Sequence, residues 1–316
     1  MTENYRSFVQ TVLRPWLNRH VKSGFFHSYD GASIHYYYAL NRKAKGAIVM
    51  VHGFCEFFGK HHENAWRFFQ EGYSVFFLEL RGHGKSDRVY ESQKGRVVVE
   101  SFDEYVNDVH SFMHQIVIPK STDCPLFLYG HSMGGAVSAL YLEKYPDEFK
   151  CAVLSSPMLQ INFGNMPVLL LDAAEIYVKV ADVGLEYAPG QHEFRYEYNL
   201  ETSSAMDRDR YEYQFNQRCD DEDYQTWGST WAWARAARNA AYEAVKNAAL
   251  IRCQILLCQA GNDTMVKPGG QNRFAKNSGR VTIVRYPNAK HELFNSDDTT
   301  REKYYRDILD FYRAFV

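Results

Sequence analysis

The chain has 316 residues, of which 46% are hydrophobic, and a formal net charge of −2. That is enough apolar material for a full core and, by length, for one large domain with an insertion or for two smaller ones. The near-neutral balance, with no long basic run, argues against a nucleic-acid partner.

At the N-terminus, "MTENYRSFVQ" lacks the basic-then-apolar order of a secretory signal. "FVQTVLRPWLNR" sets Phe8, Val12 and Leu13 beside Arg14 and Arg19. It is expected to dock on the body as a helix rather than lie on a membrane, because Pro15 interrupts any long amphipathic face. "GFFHSY" and "ASIHYYYAL" then flank Asp30-Gly31, a hairpin signature. Six apolar runs follow: "AIVMV" (47–51), "SVFFLEL" (74–80), "PLFLYG" (125–130), "CAVLSS" (151–156), "QILLCQA" (254–260) and "VTIVRY" (281–286). They show little alternation, which is how strands buried on both faces read. Helix-like segments at 61–71, 101–118, 134–146, 236–249, 270–277 and 299–315 separate most of them. Alternation of this kind predicts a mostly parallel sheet with helices on both faces.

The rhythm breaks between Ser156 and about Ala236. No buried-strand run occurs there, and the segment is dense in Tyr, Trp and charge, as in "MDRDRYEYQ". Some eighty residues is too long for a plain loop, so a mostly helical insertion acting as a lid is expected. The apolar stretch at 166–184 holds Asp172, Glu175 and Lys179 and is too charged to span a membrane. The six cysteines include no Cys-x-x-Cys pair, and several sit in strand-like runs as small hydrophobes. A reducing, cytoplasmic setting is expected, with peripheral contact at the inner membrane face left open.

Gly130-His131-Ser132-Met133-Gly134 joins the run "PLFLY" to the helix-like "GAVSALYLEKY". A Gly-x-Ser-x-Gly pattern in that context predicts a nucleophile elbow, with Ser132 strained and exposed at a helix N-terminus. A serine needs a base, and the base needs an acid, in the chain order Ser, Asp, His. Asp263 follows one strand run and His291 follows the next, at the strand ends where open α/β sheets carry their sites. The backbone amides of Phe54, in "HGFCE" after the run 47–51, and of Met133 are expected to form the oxyanion hole. His131 reads as a packed structural ring, Glu292 as a surface or loop-supporting group, and Asp297 and Asp298 as a helix N-terminal cluster. His61-His62-Glu63 lacks a second histidine at the required spacing, since Trp66 stands there, so no metal is expected. Arg81-Gly-His-Gly-Lys85 lacks phosphate-loop spacing.

The segments "HGFCE", "LRGHGKSD", "GHSMGG", "AGNDTMV" and "AKHELF" in this order resemble the α/β-hydrolases that include monoacylglycerol lipases and bacterial lysophospholipases, from about residue 25 to the end. "GRVVVESFDEYVNDVHSF" and "CAVLSSPMLQI" resemble the lysophospholipase branch, close to serine aminopeptidase-like hydrolases. The resemblance implies an α/β-hydrolase core at 1–157 and 236–316 and a cap at 158–235. It implies Ser132, Asp263 and His291 as the triad, with Phe54 and Met133 as oxyanion donors. Two departures stand out: Glu79 where the family more often has Asp, and Phe57 where monoacylglycerol lipases usually carry His. The expected activity is hydrolysis of carboxylic esters of single-chain lipids, without a cofactor. A small-ester or aryl esterase, an aminopeptidase, a carbon–carbon hydrolase and a non-catalytic binding protein remain the alternatives.

Overall fold

The computed structural model describes residues 1–89, 94–121, 124–164 and 183–316. Its strands among these are β1 (Lys22–His27), β2 (Ser33–Ala39), β3 (Ala47–Val51), β4 (Ser74–Leu78), β5 (Arg96–Val97), β6 (Leu126–His131), β7 (Cys151–Ser155), β8 (Gly228–Ser229), β9 (Gln254–Ala260) and β10 (Val281–Tyr286). The helices used below are α1 (Glu3–Phe8), α2 (Arg14–His20), α3 (His62–Gln70), α4 (Phe102–Phe112), α5 (Met133–Lys144), α6 (Arg208–Asp220), α7 (Trp231–Asn247), α8 (Pro268–Ser278) and α9 (Asp298–Arg313). Eight strands form one sheet in the order β1-β2-β4-β3-β6-β7-β9-β10. Pairing is antiparallel from β1 to β2 and from β2 to β4, and parallel at every junction beyond.

The apolar runs become these strands because both faces of the sheet are covered. Alternate side chains of each run go to opposite faces. Val49, Val51, Leu128 and Leu257 pack with Val106, Val109 and Ala136 on one side. Ile48, Met50, Tyr129 and Cys258 pack with Leu13, Phe68, Tyr304 and Tyr312 on the other. β3, β4 and β7 are buried at every position. The run 281–286 departs from the expectation of burial on both faces: Thr282 and Arg285 are exposed, because β10 lies at the sheet edge.

Two further expectations need correction. Pro15 does not interrupt the N-terminal helix. A π-helical turn, Val9–Leu13, joins α1 to α2 and places Pro15 in the first turn of α2, where its missing N–H costs little. Tyr5, Val9, Leu13 and Trp16 are buried, so the segment docks as expected. The described part of the insertion is also less helical than expected. It contributes α6, the short turn Glu222–Tyr224 and the start of α7, while 183–207 carries no helix. Phe194, Tyr196 and Tyr198 alternate with charged residues, a period that suits extended chain and not a helix. β8 pairs with β5 in a small separate sheet that ties the insertion to the loop after β4. Of the apolar stretch 166–184, residues 166–182 lie outside the described residues. No helix among the described residues is long and apolar enough to cross a membrane.

The N-terminal docking is directly testable. Leu13 is fully buried and Val12, its neighbour, is exposed. Leu13→Ala should lower unfolding stability by ~2–5 kcal/mol, while Val12→Ala should stay within ~0.5 kcal/mol of the parent. Urea unfolding of the two variants measures both; equal effects would show that the segment is not docked.

Candidate active site

Ser132 stands at the end of β6 and caps α5. Its backbone is forced into φ 52°, ψ −117°, a region that costs a non-glycine residue roughly 1–3 kcal/mol. The turn is held by the Ser132 amide, which donates to the Ser155 carbonyl at 3.0 Å, and by the Ser132 carbonyl, which accepts from Gly135 at 2.9 Å. Gly134 permits the approach of α5 to the end of β3, since a Cβ there would overlap the Val51 and His52 carbonyls. That approach also brings the loop after β3 against the serine: a Cβ on Gly53 would lie 3.1 Å from the Ser132 Cβ.

The structure brings the three predicted side chains together. His291 Nε2 is 2.8 Å from Ser132 Oγ, and His291 Nδ1 is 2.7 Å from Asp263 Oδ2. Asp263 is fixed in turn, because its Oδ1 accepts from the Met265 and Val266 amides at 2.8 and 3.0 Å. A carboxylate so held can only accept from Nδ1–H, which leaves Nε2 to take the serine proton. Met133 is the first residue of α5, so its amide belongs to the set that a helix leaves without an intrahelical acceptor. Phe54 lies in the neighbouring loop with its ring 4.1 Å from that of Trp233.

The other candidates fall elsewhere. His131 is a buried ring whose Nδ1 donates to the Ser155 carbonyl at 3.2 Å. Asp297 caps α9 by accepting from the Thr300 amide. His62 bonds Tyr213 at 2.8 Å and Glu63 pairs with Arg210 at 2.8 Å, so both are committed away from any shared ligand. Glu79 is fully buried and accepts from the Lys85 and Phe58 amides, a turn-holding role. Arg81 clamps Asp108 at 2.6 Å and Asp30 at 2.8 Å, tying the turn to α4 and the first hairpin. Glu292 is not a surface group: it is buried and pairs with Lys60 at 2.7 Å.

A model of the family described as serine aminopeptidase, S33, matches residues 42–298. The chain belongs to that family. It is therefore a hydrolase with the α/β-hydrolase fold. It is 28% identical to lysophospholipase L2 of Escherichia coli (strain K12) over 282 residues, covering 84% of this chain and 79% of that protein. It is 35% identical to mouse monoglyceride lipase over 133 residues, covering 42% of this chain and 41% of that one. A soluble variant of the Saccharomyces cerevisiae monoglyceride lipase superposes with a TM-score of 0.71 at 18% identity, over 94% of this chain and 97% of that one.

Within this hydrolase, sequence reasoning missed the polar groups behind Ser132, His291 and Asp263. Glu56 is buried, and its Oε2 accepts from the Gly53 amide at 2.7 Å and from His61 Nε2 at 2.8 Å. Lys60 bridges Glu56 at 2.6 Å and Glu292 at 2.7 Å. Glu56 stands in the quoted "HGFCE" with Lys60 at i+4, so the pair was visible, but only the fold sets it against Glu292, the neighbour of His291. His52 is a second brace. Its Nε2 accepts from the Leu80 amide at 2.9 Å, which requires the proton on Nδ1, and that proton goes to the Gly53 carbonyl at 2.7 Å. Arg218 of α6, also unremarked in the sequence, is buried and donates to the Cys55 and Thr226 carbonyls, each at 2.6 Å.

These groups set an acid sensitivity. Burial takes His52 down from 6.5 to about 4 and pushes His83 and His131 well below the ordinary range. Burial alone would push Glu56 up, but Lys60 and the hydrogen bond from His61 hold it well below its ordinary 4.5. Lowered histidines contribute stability that is whole above pH ~6.5 and is lost on the way down, because the unfolded chain takes protons the folded one refuses. The lowered Glu56 adds its share above pH ~4.5 and loses it below. Glu143, which burial raises to about 9, works the other way over this window. In a Glu143→Gln background the urea midpoint should therefore fall from pH 7.5 to pH 4; a midpoint that holds or rises there contradicts the buried neutral rings.

Proposed function

We propose that this chain is a serine hydrolase that cleaves carboxylic esters of single-chain lipids, lysophospholipid or monoacylglycerol, through an acyl-enzyme. The observation that carries the reading is the continuous line from Asp263 Oδ2 through His291 to Ser132 Oγ, with bonds of 2.7 and 2.8 Å, at a strained strand-to-helix turn. Ser132 Oγ attacks the ester carbonyl as His291 Nε2 takes its proton. Asp263 orients the ring and stabilises the imidazolium. The Phe54 and Met133 amides receive the oxyanion, a contribution of ~3 kcal/mol per donor in comparable chemistry. His291 returns the proton to the leaving alcohol, and water then repeats the sequence to free Ser132 and the acid. The mechanism asks for no cofactor.

The substrate class draws support from what the relatives are called and from the cap proposed at 158–235. Phe194 packs against Tyr196 and Trp227, and Tyr198 against Tyr211 and Phe215. Tyr196, Tyr198 and Trp227 are nonetheless exposed, which suits rings with an apolar body and a polar tip at a lipid boundary. Peripheral membrane contact, with a cytoplasmic location, belongs to the same proposal. The family's description favours one second reading, an aminopeptidase, which would use the same three residues on an amide.

Ser132→Ala should cut ester turnover by at least ~10⁴-fold and abolish labelling by a fluorophosphonate probe, with far-UV circular dichroism unchanged. Asp263→Asn should lower kcat by ~10⁴-fold with little change in KM, because it favours the wrong histidine tautomer. A folded Ser132→Ala protein that keeps its turnover sinks the assignment.

Chain length separates the substrate readings. Each methylene taken from water contributes ~0.8 kcal/mol, so kcat/KM should climb with acyl length over the first several carbons and then level off. Replacing residues 160–233 by a short linker should flatten that dependence and leave acetyl-ester hydrolysis measurable. Preference for acetyl esters by the intact enzyme would discard the lipid reading, and faster cleavage of aminoacyl p-nitroanilides than of esters would install the aminopeptidase.

A further inference from the structure

Two imidazoles and a carboxylate converge at the end of α5 opposite Ser132. His110 lies on α4, and His114 follows it at i+4 in the π-helical turn Met113–Val117 that continues that helix, a spacing that puts both rings on one face. Glu148 comes from the loop between α5 and β7. Its Oε1 is 3.4 Å from His114 Nε2 and 3.8 Å from His110 Nδ1, and the three ligand atoms lie within 4.8 Å of one another. Ligand atoms ~2.0–2.2 Å from a tetrahedral zinc stand ~3.4 Å apart, so movements of under ~1 Å close the set.

The surroundings hold two of the three groups in place. The Tyr141 hydroxyl donates to Glu148 Oε2, which leaves Oε1 turned toward the rings. Tyr145 stacks flat on His110 at 4.1 Å, with 7° between the planes. Carboxylates that bind metals are commonly hydrogen-bonded on their other oxygen, as Glu148 is. The titratable groups facing His110 are His114, Glu148, Lys144, the stacked Tyr145 and the Tyr141 hydroxyl, which is 3.4 Å from Nδ1. Burial, His114 and Lys144 favour its neutral form, and Glu148 opposes them.

We propose that His110 Nδ1, His114 Nε2 and Glu148 Oε1 bind a divalent first-row transition cation of the zinc type, with water completing the shell. Two neutral imidazoles and one carboxylate suit zinc or copper over magnesium or calcium. The ion would join α4 to the approach to β7, segments 34 or more residues apart in the chain. It would not take part in ester chemistry, since α5 separates it from Ser132 by ~18 Å of helix.

The test uses untagged protein at pH 7.5 with Zn²⁺ as the probe, followed by calorimetry, and Co²⁺ as a visible reporter of geometry. One saturable site is expected, with a rise in Tm of ~3–5 °C at a hundredfold excess over Kd. His114 is half exposed, so His114→Ala should fold normally; it and Glu148→Gln should each weaken binding by at least ~10-fold and remove the rise in Tm. Tyr141→Phe should weaken binding by a smaller factor, and binding should fade as pH drops through the histidine range, because the ligands must be deprotonated. Ester turnover should be unchanged in His114→Ala. No saturable binding below ~100 μM, or binding that survives both ligand substitutions, overturns the proposal.

Discussion

The site depends on one buried carboxylate. Glu56 sits where an unpaired charge would cost several kcal/mol, and its surroundings answer each oxygen: the Gly53 amide and His61 on Oε2, Lys60 on Oε1. Through Lys60 it is joined to Glu292, the neighbour of His291. His61 in turn accepts from Asn64, which takes the Tyr305 hydroxyl of α9. One group therefore fixes the loop after β3 relative to the loop after β10. Those loops carry the proposed oxyanion donor and base, so their separation is set by charge pairing in a dry interior, where small displacements are expensive.

The insertion enters the same network from above. Arg218 reaches from α6 to the Cys55 carbonyl, and Cys55 has a left-handed φ of 56° that the loop must hold in place. The guanidinium also lies over the Phe57 and Trp227 rings at 5.1 and 5.2 Å. Burial lowers its pKa, yet it stays charged, and donating to two carbonyls is what makes that burial tolerable. The insertion is thus tied to the backbone beside Phe54, the proposed oxyanion donor. Under that proposal, a shift of the insertion would be felt at that amide.

Much of this was legible in the sequence because it is local. Buried strands announce themselves as apolar runs, and the elbow, Asp263 and His291 each follow one. What failed to show depends on pairings across long separations. Glu56 and Lys60 gain their meaning from Glu292, 232 residues after Lys60, and His110 and His114 from Glu148. Glu292 looked like a loop residue since nothing near it in the chain signals a buried cation. Within the insertion expected to be mostly helical, the stretch with Phe194, Tyr196 and Tyr198 has a period of two and is extended.

Where the monoacylglycerol lipases that the chain resembles usually carry histidine, Phe57 is buried and stacked on Tyr224 at 4.3 Å. It offers no hydrogen bond, and its ring forms part of the floor on which the insertion rests. Tyr224 continues that floor, since its hydroxyl lies 3.2 Å from that of Tyr37 on β2. A polar group at position 57 would lose this stacking and the aromatic face that the Arg218 guanidinium covers at 5.1 Å. Under the proposed function, position 57 offers a substrate's head group no side-chain hydrogen bond, because Tyr224 of the insertion covers the ring that stands there.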